Sequence, residues 1–84
     1  MNAKQKKILA DLYWNPVKKN IKWTDVESLI SGFQGRVIQG NGSRVRIILG
    51  EQSLNIHTPH PQKELKPYQI RAIRRLFLEQ GIEI

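Results

Sequence analysis

The sequence predicts an α+β domain in which helices cover one face of a small three-stranded antiparallel sheet. Three observations carry that expectation. Apolar residues recur at helical spacing near both ends and again just before the middle of the chain. Between residues 36 and 57 the period changes to strict alternation. Glycine-bearing turns divide that alternating stretch into segments of strand length.

Taken in order, residues 3–13 read as a helix, with Ile8, Leu9, Leu12 and Tyr13 at helical spacing and Lys4, Lys6, Lys7 and Asp11 turned outward. Asn15-Pro16 ends it, because a residue before proline is pushed out of the α region. Val17 to Trp23 is a lysine-bearing connector that Ile21 and Trp23 can anchor to a core. Thr24-Asp25-Val26-Glu27 has the form of a capping box, with Thr24 as N-cap and Glu27 at the third helical position. Val26, Leu29, Ile30 and Phe33 then form one buried stripe, which predicts a helix over 25–33 with Gly35 as its stop.

Arg36-Val37-Ile38-Gln39 predicts a short strand, followed by turn chemistry at Gly40-Asn41-Gly42. In 44–49 Val45, Ile47 and Leu49 share a face, and 54–57 alternates again after Gly50-Glu51. In that register Arg44, Arg46, Asn55 and His57 lie on the side away from the core, although a slip of one residue would reverse every assignment. A last helix is expected from Pro67 to Gln80, closed by Gly81, with Ile70, Ile73, Leu76 and Phe77 inward and Arg71, Arg74 and Arg75 outward. Residues 1–84 make one domain, with 1–22 an added helix and connector before a 23–84 core. Without its first helix the order is α-β-β-β-α, that of double-stranded-RNA-binding domains.

Fourteen Lys and Arg against seven Asp and Glu give a net charge of +7. The isoelectric point near 10.2 lies in the range expected of nucleic-acid binding; an acidic protein partner is the other occupant such charge suits. The chain has no cysteine, so disulfides and thiolate metal sites are excluded and a cytoplasmic setting is expected. No apolar run approaches the roughly 20 residues that span a bilayer, and the lysine-bearing start is followed by a mixed segment in place of a signal-peptide core. No membrane contact, cofactor or metal is expected.

Both histidines and two of the four prolines fall in His57-Thr58-Pro59-His60-Pro61-Gln62-Lys63-Glu64-Leu65. Histidine takes and gives protons near neutral pH. RNA carries its own nucleophile, the 2′-hydroxyl, so metal-free cleavage needs a base, an acid for the leaving 5′-oxygen, and cations for the charge on phosphorus. His57 is the base candidate, because it shares a sheet face with Arg44 and Arg46. The other reading of His57 is a solvent-facing strand residue. His60, between prolines, has a structural alternative: a ring N–H holding a backbone carbonyl in the turn. Lys63 and the three helix arginines can grip phosphates, but charges on a packed helix are also its ordinary solvated face. Tyr13, Trp14 and Trp23 can stack on unpaired bases or, more simply, fix helix ends to the core.

From Trp23 onward the chain resembles the HicA toxins of bacterial HicA–HicB toxin–antitoxin modules. The resemblance rests on the capped helix and glycine-ended turn from Asp25 to Gly35, on Gly42-Ser43 entering the second strand, and on Pro59-His60-Pro61-Gln62-Lys63-Glu64-Leu65 before a helix carrying Ile70-Arg71-Ala72-Ile73 and closed by Gly81-Ile82. It implies a double-stranded-RNA-binding-like fold, mRNA cleavage with translation inhibited as a result, and neutralisation by a HicB antitoxin. One departure stands out. The family's catalytic histidine follows the Gly-Ser turn directly, whereas here Gly42-Ser43 is followed by Arg44. Arginine, with a pKa above about 12, cannot act as a base at neutral pH. The residues expected to carry the chemistry are therefore His57 and Arg44, with Ser43, Arg46, His60, Lys63, Arg71, Arg74 and Arg75 holding RNA or phosphate. A non-catalytic RNA-binding module on the same fold is the alternative, and a major-groove DNA binder a more distant one.

Overall fold

A computed structural model describes residues 1–83. The elements are α1 (Ala3–Tyr13), α2 (Trp23–Gly32), β1 (Arg36–Gln39), β2 (Arg44–Leu49), β3 (Gln52–His57) and α3 (Pro67–Glu79). The strands form one antiparallel meander in the order β1-β2-β3. Val45 pairs with Ile56 and Ile47 with Leu54, while Arg44 pairs with His57 and Arg46 with Asn55. The register expected from alternation is the one found. Val45, Ile47 and Leu49 are buried beneath the helices, and Arg44, Arg46, Asn55 and His57 are exposed on the opposite face.

All three helices contribute to the core. Ile8, Leu9 and Leu12 of α1, Val26, Leu29 and Ile30 of α2, and Ile70, Ile73, Leu76 and Phe77 of α3 are buried with the sheet residues. Phe33 and Phe77 meet edge to face with ring centroids 5.8 Å apart. Among the described residues no buried side-chain polar atom lacks a hydrogen-bond partner. None of the helices there is long and apolar enough to cross a membrane.

Three local expectations are corrected. The Thr24–Glu27 box does not cap α2, which starts two residues earlier with Lys22 as N-cap and no side-chain cap. A second segment of chain takes over the capping: Trp23 N–H donates to the Lys63 carbonyl (3.1 Å) and Leu65 N–H to the Ile21 carbonyl (2.8 Å). A backbone donor that the helix leaves orphaned is thus satisfied by a distant strand-like segment, and no side-chain oxygen is needed. Gly35 is not the left-handed residue that ends α2. Gln34 takes that role with φ 63°, and Gly35 N–H closes onto the Ile30 carbonyl at 2.8 Å. Gly35 is required by space, since a Cβ there would lie 2.7 Å from Ile30 Cγ2 and 2.8 Å from the Ile48 carbonyl oxygen. The third strand also begins earlier than expected, at Gln52, so that only Gly50 and Glu51 make the turn.

The added helix α1 is tied in by polar contacts as well as by its apolar stripe. Asn2 and Gln5 cap its start reciprocally, Oδ1 of Asn2 accepting from Gln5 N–H and Oε1 of Gln5 from Asn2 N–H. The Gln5 amide also donates to the Ser28 carbonyl of α2 (3.1 Å). At the other end Tyr13 donates its hydroxyl to the Ile82 carbonyl (2.7 Å), and partial burial holds the Tyr13 phenol above its ordinary pKa.

Candidate functional site

The site is built on the β1–β2 turn and the end of β3. Gly42 adopts φ 61° in that turn, a left-handed conformation that costs glycine little. It brings Ser43 to the start of β2, opposite the end of β3. Thr58 N–H donates to the Ser43 carbonyl (2.7 Å), and the Thr58 hydroxyl donates to the same oxygen (3.1 Å). That bond makes Arg44 and His57, one step further in, a pair without direct backbone hydrogen bonds. In such pairs the Cα atoms approach to about 4.5 Å and the side chains are closest. Ser43 Oγ lies 3.3 Å from His57 Nδ1.

A serine hydroxyl can either donate or accept, so this contact accommodates both neutral tautomers of the ring. When Nδ1–H donates to Ser43 Oγ, Nε2 presents a lone pair and can take a proton. When Ser43 donates to Nδ1, Nε2 carries the hydrogen and can donate a hydrogen bond; only the doubly protonated ring can give up a proton as an acid. The ring is oriented by one nitrogen and leaves the other for chemistry.

His57 forms one wall of an open cleft of about 410 Å³ lined also by Ser43, Pro59, His60, Lys66 and Tyr68. Gln69 holds its base. That residue is 4% exposed; its amide donates to the His57 carbonyl (2.7 Å) and its Oε1 accepts from Lys66 N–H (3.0 Å). One buried side chain thereby locks the end of β3, which carries His57, to the start of α3, which carries Lys66 and Tyr68.

The residues singled out from sequence fall into separate places. Ser43, His57 and His60 share the cleft, and Arg44 stands beside His57. His60 is exposed, and among the described residues its ring makes no hydrogen bond to the turn, so the carbonyl-holding role does not occur there. Arg46 is on the same sheet face, with Nε 3.3 Å from Asn55 Oδ1. Lys63 is exposed on the segment that pairs with residues 21–23 and does not line the cleft; Lys66 does.

The three helix arginines diverge. Arg71 is exposed, and Arg75 lies 4.0 Å from Glu79 at a different cleft formed with Gln52, Ser53 and Leu54. Arg74 is turned to α1: its Nε donates to the Leu12 carbonyl (3.0 Å) and Nη2 to the Trp14 carbonyl (2.9 Å). These are the orphan carbonyls of a helix C-terminus, where a cation is favoured. Tyr13 and Trp23 pack against the core, while Trp14 is exposed with Lys18 Nζ 5.2 Å from its ring centroid. Among the described residues no three His, Cys, Asp or Glu side chains cluster as metal ligands would.

Lys66, Tyr68 and Gln69 were not singled out from sequence. For Gln69 a signal exists: it stands three residues after the N-cap of α3, the spacing at which Glu or Gln reaches back to cap a helix start.

The sequence profile of a family described as HicA toxin of bacterial toxin–antitoxin matches residues 23–81. The chain belongs to the HicA toxin family. No curated protein and no solved structure gives a significant match. Membership makes this a toxin-family protein with an antitoxin as its implied partner. The match begins at the first residue of α2, so α1 and the connector lie outside the HicA portion, as does the Arg74 partnership with α1 on one side. Where HicA toxins are expected to place histidine after the Gly-Ser turn, Arg44 stands at the start of β2, and His57 pairs with it across the ladder.

Proposed function

We propose that this HicA-family protein is a metal-independent endoribonuclease that cleaves mRNA, and that His57 is its general base. The single observation that supports this most is the His57 ring held by Ser43 directly opposite Arg44. In the proposed reaction Nε2 of His57 takes the proton of a ribose 2′-hydroxyl. The 2′-oxygen forms a bond to the adjacent phosphorus, and the bond from phosphorus to the 5′-oxygen of the next nucleotide breaks. A protonated His60 or the returning proton from His57 goes to that leaving oxygen. The products are a 2′,3′-cyclic phosphate and a 5′-hydroxyl, and no water is consumed.

Arg44 and Lys66 neutralise the non-bridging oxygens as charge builds on phosphorus, Arg44 by its planar fork and Lys66 as a point charge. Arg36, Arg44 and Arg46 line the open sheet face with no acidic side chain among them. That gives the phosphate chain a cationic track leading to the cleft. The same surface suits an acidic HicB-like antitoxin, whose docking would cover His57 and stop cleavage. The setting proposed is cytoplasmic, where both mRNA and antitoxin are found.

Incubation of the purified protein with a single-stranded RNA in EDTA tests the reading. Cleavage with cyclic-phosphate ends, lost in His57→Ala, is expected. The second reading, a non-catalytic RNA-binding module, is favoured by Arg44 at the position where the family's base is expected. RNA binding with no cleavage in any condition would establish it instead.

A further inference from the structure

The cleft beside His57 has a feature that phosphate chemistry alone does not use. Tyr68, in the first turn of α3, is 60% exposed and lines the cleft with Pro59 and His60. An aromatic ring that is mostly in water contributes little to the core. The backbone that carries it is nevertheless held, because the neighbouring Gln69 is clamped between the His57 carbonyl and Lys66 N–H. A cleft of about 410 Å³ falls within the roughly 300–1,000 Å³ typical of small-ligand sites. Its lining combines the imidazoles of His57 and His60, the lysine Lys66 and the exposed aromatic ring of Tyr68.

We infer that Tyr68 is a base-stacking residue, and that the substrate is single-stranded RNA with one nucleobase turned out of its stack onto this ring. The inference rests on the reading of the cleft as the RNA site, and deepens it by naming the substrate class. Two physical arguments converge. Aromatic side chains hold unpaired bases through their π faces, largely regardless of base identity. A duplex offers no such face, since its bases are paired and stacked. Independently, attack by a 2′-oxygen requires it to lie in line with the breaking bond to the 5′-oxygen. The A-form duplex holds the ribose and phosphate away from that alignment, while an unstacked nucleotide can reach it. The base that settles on Tyr68 is therefore what frees the backbone beside His57 to align. The fold is that of a double-stranded-RNA-binding domain, but the substrate inferred is not a duplex.

Binding to 2′-O-methyl RNA oligomers, which lack the nucleophile and cannot be cleaved, separates this inference from the nuclease reading. Fluorescence anisotropy at fixed salt would compare a single strand, the matching duplex, and an abasic sugar–phosphate strand of equal length. The wild-type protein is expected to bind the base-bearing single strand most tightly. Tyr68→Ala is expected to weaken that complex roughly 5–150-fold, the loss of one base–aromatic stack, and to leave the abasic strand unaffected. Tyr68→Phe retains the wild-type preference. Because Tyr68 is exposed, neither variant opens a cavity in the core.

Equal losses on base-bearing and abasic strands, no loss at all, or preference for the duplex would each overturn the inference. So would binding of a polyglutamate peptide in preference to every RNA, which would make the cleft a protein-docking site. A protein that never cleaves RNA but shows the Tyr68-dependent base preference would remove the nuclease reading and leave this one standing.

Discussion

Arg74→Met separates a structural arginine from its two neighbours on α3. Arg74 makes two hydrogen bonds to carbonyls at the end of α1, at 3.0 and 2.9 Å. Hydrogen bonds from a charged donor contribute about 1.5–3 kcal/mol each in general. The Trp14 end is exposed, so water replaces much of that bond when the guanidinium is removed. The Leu12 end is half-buried and loses more. Methionine keeps the apolar stem in place. Together these give a loss of about 2 kcal/mol, or a fall in Tm of roughly 8–16 °C for a domain of this size. Arg71→Met, at an exposed position, should stay within about 0.5 kcal/mol of wild type. Urea titration followed by circular dichroism, together with thermal melts, measures both. If Arg74→Met were as stable as wild type, or Arg71→Met lost as much, the assignment of Arg74 to α1 docking would be wrong. In the folded protein Arg74→Met should also leave RNA affinity close to wild type.

Other consequences can be checked in the same preparations. Gly35→Ala should cost about 1–3 kcal/mol through overpacking, since its Cβ would press on Ile30 and the Ile48 carbonyl; denaturant midpoints measure it. Bonds from Lys18 first, and then Lys7, hold the Asp11 carboxyl below its ordinary value of 3.8. A depressed folded-state pKa contributes stability that is present above 3.8 and is lost as pH falls through the lower folded value. Unfolding free energy should therefore drop below about pH 4 less steeply in Asp11→Asn than in wild type. Ser43→Ala should lower kcat roughly 10-fold with KM little changed, the pattern of a residue that orients the base without binding substrate. Arg44→Gln and Arg46→Gln should each reduce the slope of log affinity against log salt by roughly 0.7, as measured with an uncleavable single strand.

How much of this was legible in the sequence depends on the range of the interactions involved. The alternation through 44–49 and 54–57 placed Arg44, Arg46, Asn55 and His57 on one face, because a side-chain period of two leaves only two choices and burial decides between them. The apolar stripes of the three helices were equally clear, and their residues are buried except for Tyr13 and Phe33, which are partly buried against the core. What failed was set by distant chain. Thr24 and Glu27 match a capping box, but residues 63–65 cap α2 two residues earlier. Gly35 reads as a left-handed stop, yet its missing Cβ serves a close approach to β2 while Gln34 takes the strained conformation. Arg74 is indistinguishable from Arg71 on a helical wheel; only the end of α1, some sixty residues earlier, tells them apart. Lys63 and Lys66 are alike in sequence, and the turn into α3 decides which of them reaches the cleft.

The central claim is that the imidazole of His57 has taken over the base role at a HicA site where arginine follows the Gly-Ser turn. Single-turnover cleavage of a single-stranded RNA in EDTA, comparing wild type with His57→Ala at equal folded concentration, tests it most directly. A fall of about 10²–10⁴-fold, the range for loss of a general base, is predicted, with RNA affinity retained. Cleavage at the wild-type rate in His57→Ala would contradict the account.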